Sequence, residues 1–165
     1  MRKQWHPCFF LCFFIVLVGF GAGRLSRADH HSEEAPRFAF YRAVIENALG
    51  FVEFQVELAL TPDERARGLQ YRKSLDPMSG MLFDFGENRP VAMWMRNTGI
   101  SLDMLFIEDS GRIAHIVTDT KPFSLYRIPS PKPVRAVLEI PCGTVKKFGI
   151  AVGDHMVHPD LREFR

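Results

Sequence analysis

The most regular alternation of apolar and polar positions in the chain is FVEFQVELAL, residues 51–60. Val52, Phe54, Val56, Leu58 and Leu60 alternate with Glu53, Gln55, Glu57 and Ala59. A period of two over this length predicts a half-buried strand. Tyr41 to Ile45 reads as a weaker strand before it, with a turn at Asn47 to Gly50. Thr61-Pro62-Asp63-Glu64 has the chemistry of a helix start. Thr61 can cap, Pro62 suits the first helical position, and Glu64 is placed to return a bond to the cap. Gly68 keeps that helix short, and Asp76 to Gly80 is turn chemistry.

Short apolar runs follow at Met81 to Phe85, Val91 to Met95 and Leu102 to Ile107. Asp109-Ser110-Gly111 then turns the chain into Arg112 to Thr118, a hairpin signal. Lys121 to Pro133 holds Pro122, Pro129, Pro131 and Pro133, which bars an inner strand because proline donates no ladder bond. Arg135 to Ile140 predicts another strand, Gly143 to Gly149 a short helical turn ended by glycine, and His155 to His158 a last strand. The pattern is mainly β. It predicts a small antiparallel β-barrel or sandwich of about seven or eight short strands with one or two short helices. Without long helical stretches a doubly wound parallel sheet is excluded.

The N-terminus follows different rules. Arg2 and Lys3 precede an uncharged apolar run from Cys8 to Gly23, and small residues follow it. This is the layout of a secretory signal peptide over residues 1–28, cleaved after residue 23 or 28. An uncleaved anchor is the alternative, for which the run is slightly short. Residues 29–40 form a polar leader, and its His30-His31 pair lacks the further ligands that fix a metal. Residues 41–165 then form one domain.

Cleavage changes the charge. Of 21 basic residues, Arg2, Lys3, Arg24 and Arg27 leave with the peptide, so 17 remain against 19 acids. The basic balance of the whole chain therefore gives no case for nucleic-acid binding. Only Cys142 of the three cysteines remains, so no internal disulfide can form, and its simplest role is a small buried apolar residue.

Four ordered blocks carry a resemblance: GLQYRKSL (68–75), GMLFDF (80–85), MWMRNTGISLDMLFI (93–107) and VLEIPCG (137–143). Together they resemble the domain-of-unknown-function family 192 (DUF192) from about Val44 to Val157. The resemblance implies a compact, mostly β fold, often behind a bacterial signal peptide, and no activity. Gln70 and Tyr71 depart from the family's usual Met and Phe, and Cys142 from a small residue such as Ala.

Candidate site residues are Arg72, Trp94, Asn97, Asp103 and Glu139. Trp94 is a core residue or the wall of a ligand pocket; by strand parity it shares a face with Ala92 and Arg96, on a strand expected to be central. Asp103 points with Leu105 and Ile107, to the inward side, where a carboxylate needs partners. Arg72, Arg96 and the Asn97-Thr98 backbone are candidates. Asp103 is then either a brace for the NTGISLD loop or a ligand-binding or proton-transfer group. Glu139 shares a side with Val137, and a solvated strand face is its plainer reading; a pair with Arg72 near Asp103 is the other. His115 reads as a cross-strand or core residue, and His155 and His158 lack partners at ligand spacing. Met78, Met81, Met93, Met95 and Met104 are thioethers of the kind that hold Cu(I), but core filling is their plainer reading.

No catalytic residue, metal site or cofactor is assigned. The expectation is an exported β domain, periplasmic or secreted, that binds a small molecule or an envelope protein and meets the membrane only through its transient signal peptide. An enzyme of hydrolase or lyase type using Asp103 with Arg72 or Glu139 is the alternative, and a structural envelope protein the second.

Overall fold

The structure is a computed structural model that describes residues 38–157. The predicted signal peptide and cleavage site, most of the predicted polar leader and His158 lie outside the described residues.

The elements are β1 (Ala39–Asn47), β2 (Gly50–Ala59), α1 (Pro62–Arg67), β3 (Ser79–Arg89), β4 (Ala92–Met93), β5 (Leu102–Ile107), β6 (Ile113–Val117), β7 (Ile128–Pro129), β8 (Val134–Pro141), α2 (Thr144–Phe148) and β9 (His155–Val157). The protein is mainly β with two short helices, as the alternation predicts. Seven strands form one sheet in the order β6-β5-β8-β3-β2-β1-β9, and β4 pairs with β7 apart from it. The sheet curls until its two edges meet. Arg112 bridges His155, Ile113 N donates to Asp154 O at 2.8 Å, and Met156 N donates to Gly111 O at 2.9 Å. Paired edges leave fewer backbone groups open to another chain.

One pair in this otherwise antiparallel sheet differs. β2 and β3 run parallel, with Gln55 opposite Ser79 and Ala59 opposite Phe83. Parallel neighbours need a crossover. Residues 60–78 supply it, and α1 lies in it. The cap chemistry works there as the sequence implies. Thr61 Oγ1 accepts from Glu64 N at 3.2 Å, and Glu64 Oε2 accepts from Thr61 N at 2.8 Å.

The sheet is buried on both faces at β3, β5 and β8. The inner face packs Ala43, Ile45, Phe54, Val56, Leu58, Leu82, Leu105, Ile107, Leu138 and Ile140, and Val145 of α2 joins them. The outer face of β3, β8 and β5 packs Met81, Phe83, Met104, Phe106 and Val137 against Leu69, Val91, Met93 and Met95. This second core is roofed by sequence-distant segments. The roof is held by backbone bonds: Met95 N to Ser124 O at 3.1 Å, Phe123 N to Thr98 O at 3.0 Å and Ser130 N to Val91 O at 2.7 Å. The proline-rich stretch is thus an ordered part of the fold, with β7 inside it.

Candidate functional site

The roof leaves a groove of about 620 Å³ between α1, the β3 end, β4 and the segment around β7. Leu69, Phe83, Val91, Met93 and Trp94 give it apolar walls. Arg65, Arg67, Arg89, Arg96 and Arg127 give it positive charge, and Glu139 reaches it from β8. Three local features shape the opening. Gly68 caps α1 at φ 47°, ψ −140°, and a Cβ there would press on the Phe83 ring at 3.0 Å; only glycine combines that backbone with that contact. Arg65 Nη1 donates to the carbonyls of Leu60 and Asp84 and lies over the Phe85 ring, which ties α1 to the sheet. Val91 N donates to Ser130 Oγ at 3.0 Å and fixes the far rim.

Trp94 is 40% exposed. It lies just after β4, which is two residues long and pairs only with β7, so it is not on a central strand, contrary to the sequence expectation. Val91, Met93 and Met95 turn inward while Ala92, Trp94 and Arg96 turn out, so the parity was right and only the second covering layer is missing. The guanidinium carbons of Arg96 and Arg127 lie 5.5 and 5.8 Å from the Trp94 ring. Two cations therefore share one indole, an attraction to the ring set against their mutual repulsion. Among the described residues no carboxylate lies within ion-pair distance of Arg67, Arg89, Arg96 or Arg127.

Glu139 is 4% exposed, so the solvated-face reading is overturned. It stands between Met81 of β3 and Met104 of β5 in the register of the sheet. Met81 in turn faces Glu57 of β2. One cross-strand row thus carries two glutamates with different fates. Glu57 receives Arg72 Nη2 at 2.6 Å. Glu139 has no hydrogen-bond or ion partner among the described residues, and burial pushes its carboxyl up to about 8. At neutral pH it is a neutral acid, with an O–H to donate. The proposed pairing of Arg72 with Glu139 does not occur.

Asp103 is 0% exposed. Its Oδ2 accepts from Val145 N at 3.0 Å, and its Oδ1 accepts from Asp119 N at 3.1 Å. Neither Arg72 nor Arg96 is its partner. It holds α2 against the barrel and closes the loop after β6, so it braces these two segments and not the NTGISLD loop that the sequence reading gave it. Asn97, at φ 55°, is a clamp as well. Its Nδ2 donates to Gln70 Oε1 and to Tyr71 Oη, both at 2.9 Å, and its carbonyl accepts from Tyr71 N at 2.8 Å. Gln70 and Tyr71 thereby hold the loop that carries Arg96 and Thr98 into the groove.

Of the five candidates, Trp94 and Glu139 line the groove, Asn97 supports its rim, and Arg72 and Asp103 are elsewhere. The arginines at 65, 67, 89 and 127 were not singled out in the sequence because nothing local in it brings them together. Cys142 is exposed rather than buried. Partial desolvation of its thiol, its bond to Asp119 Oδ1 at 3.4 Å and the charges of Asp103 and Asp119 still raise it, so it is not an activated thiolate. His115 lies cross-strand beside Phe106, ring centroids 5.6 Å apart, as expected. Met81, Met93, Met95 and Met104 fill the second core. Among the described residues no three His, Cys, Asp or Glu side chains gather as a metal set.

No curated protein matches the chain. Solved structures do. A crystal structure from Sinorhizobium meliloti, provisionally described as a transcription regulator, is 46% identical at a TM-score of 0.72 and covers 73% of this chain and 95% of that one. A protein of unknown function from Novosphingobium aromaticivorans is 32% identical at a TM-score of 0.70, covering 76% and 95%. The model of DUF192, an uncharacterized family, matches residues 41–158. With the four sequence blocks, the fold and this match in agreement, the chain belongs to the DUF192 family.

Proposed function

We propose that the protein is an exported ligand-binding module of the bacterial cell envelope, and that the groove roofing the β3-β8-β5 face holds its ligand. One observation carries this reading: the Glu139 side chain is buried at the groove with no partner among the described residues. An unpartnered buried polar group costs folding free energy, and groups kept at such a cost tend to be used. The volume is that of an ordinary small-molecule site, and an apolar wall with few polar groups is its usual make-up. Asp103 and Arg72 contribute nothing to the groove, so the acid–base enzyme built on them has no common cavity to work in.

The S. meliloti relative's description would make nucleic acid the partner. The 17 basic and 19 acidic residues left after residue 28 favour a small ligand over a polyanion, whose binding draws on dense positive charge. Export rests on the layout of residues 2–28.

Thermal-shift and calorimetric titration of the purified protein with small carboxylates, phosphates and cell-wall fragments tests the groove. The expected result is a compound that stabilises the wild type and binds W94A much more weakly. Binding unchanged in W94A, or no binding by any class, overturns the reading. N-terminal sequencing of the protein from the envelope fraction of its host tests export. A start at residue 24 or 29 is expected; an intact Met1 in the cytosolic fraction refutes it.

A further inference from the structure

The two ends of the groove differ in kind. At the rim Arg96 and Arg127 converge on Trp94 with no described carboxylate to neutralise them. An anion lodged there relieves the repulsion between the guanidiniums and gains charge-assisted bonds. At the floor Glu139 stands between two thioethers, Met81 and Met104, each fully buried. No arginine contributes to the state of its carboxyl, which is set by burial. The groove is therefore cationic where it opens and uncharged where it ends.

A neutral carboxyl buried among apolar groups has one unmet need above others. Its O–H is a donor with no acceptor among the described residues. Orphaned donors are rarer than under-used carbonyl oxygens in folded proteins. The complement of a lone donor is an acceptor, and the complement of an apolar, uncharged floor is one without charge. A carbonyl oxygen meets both conditions. Leu69, Phe83, Val91 and Met93 line the same groove and call for an apolar body.

Resting on the groove reading above, we propose that the ligand is an organic monoanion with an apolar body, bound end-on, its anionic group at Arg96, Arg127 and Trp94 and a carbonyl oxygen at its other end accepting from Glu139. The titratable groups facing the groove are Arg65 and Arg67 from α1, Arg89 from β3, Arg96 after β4, Arg127 before β7, and Glu139 from β8. Glu139 is the one carboxyl among them. Binding by donation from Glu139 therefore fails once that group ionises.

The test uses one scaffold with four ends: 4-acetylphenylacetate, its shape-matched 4-isopropyl analogue, the 4-carboxy diacid and the 4-aminomethyl compound, titrated calorimetrically into the full protein. At about pH 6.5 the acetyl compound binds tightest, about tenfold over the isopropyl one, the gain of one buried hydrogen bond. At about pH 9.5 that advantage disappears in the wild type as the acid ionises. It persists at both values in E139Q, whose amide still donates, and is absent at both in E139L, which keeps an apolar side chain in the buried site. Preference for the diacid or the amine, or an acetyl advantage surviving in E139L, overturns the proposal. Equal binding of all four that is lost in W94A overturns it while the groove reading stands. Failure of every compound to bind overturns both.

Discussion

Asp103 and Glu139 lie on neighbouring strands one register step apart, Asp103 opposite Ile140 and Glu139 opposite Met104, and so project to opposite faces of one sheet. The inner-face carboxylate meets two backbone N–H groups; the outer-face carboxyl meets no described partner. Their substitutions should therefore act oppositely on stability. D103N leaves an amide NH₂ facing a backbone donor and removes a charge-assisted bond. A loss of about 2–3 kcal/mol is expected, read from the denaturant midpoint at constant slope, with groove binding retained. Equal stability of D103N and wild type would remove the brace.

Glu139 should make the protein less stable as pH rises. Its folded pKa, about 8, lies above the ordinary value of 4.5. Between those values the folded state holds a proton that the unfolded state has released, so raising pH favours unfolding. The contribution is fully present below the ordinary carboxylate range and lost as pH climbs through about 8. Its upper bound is about 4–5 kcal/mol, taking about 1.4 kcal/mol per unit. Subtracting the E139Q stability curve from that of wild type isolates the term from every other titrating group. A flat difference between about pH 5 and about pH 9 would place the carboxyl in water.

Arg72 should matter little to the groove and modestly to the fold. Its side chain is more than a third exposed and pairs with a mostly buried Glu57. Screening reduces the worth of such a pair, so R72A is expected to cost at most about 1 kcal/mol. Ligand affinity stays within about twofold of wild type, since a residue outside the groove contributes no contact energy to binding. A large drop in affinity in R72A would mean that the row from Glu57 to Glu139 acts as a unit.

Asp103 was legible from sequence because its parity with Leu105 and Ile107 names the inner face and a barrel's inner face is always covered. Glu139 was misjudged because alternation tells which side a residue faces and not whether that side has a roof. The roof comes from residues 62–75, 90–100 and 120–130, far from Glu139 along the chain. A signal was available. Val134, Val137, Leu138 and Ile140 are apolar on both sides of β8, the mark of a strand buried twice over. The parallel pairing of β2 with β3 had no comparable signal, since a short capped helix serves equally in a loop between antiparallel strands. The arginines share a groove only through that crossover and the β4-β7 pair, both long-range consequences of the fold.

Gly80 offers the sharpest check on how β3 and β8 support the site. It sits at the start of β3 with an ordinary backbone angle, so its conformation does not call for glycine. Space does. A Cβ at Gly80 would collide with the carbonyl oxygen of Glu139 and come within 3.1 Å of Ile140 Cγ2. The obstacle is backbone, which cannot rotate aside, and the neighbouring strand would have to shift. G80A is expected to lose about 3 kcal/mol and to displace Glu139 from the groove floor, so any ligand affinity that depends on that residue falls with it. G143A is the matched control. Gly143 has open space around its Cβ position and a positive φ of 83°, so it tests backbone strain without a collision. Its cost should be near 1 kcal/mol, with groove binding intact. If G80A proved no worse than G143A, the close approach of β3 to the backbone of Glu139 would not be the feature that sets the floor of the groove.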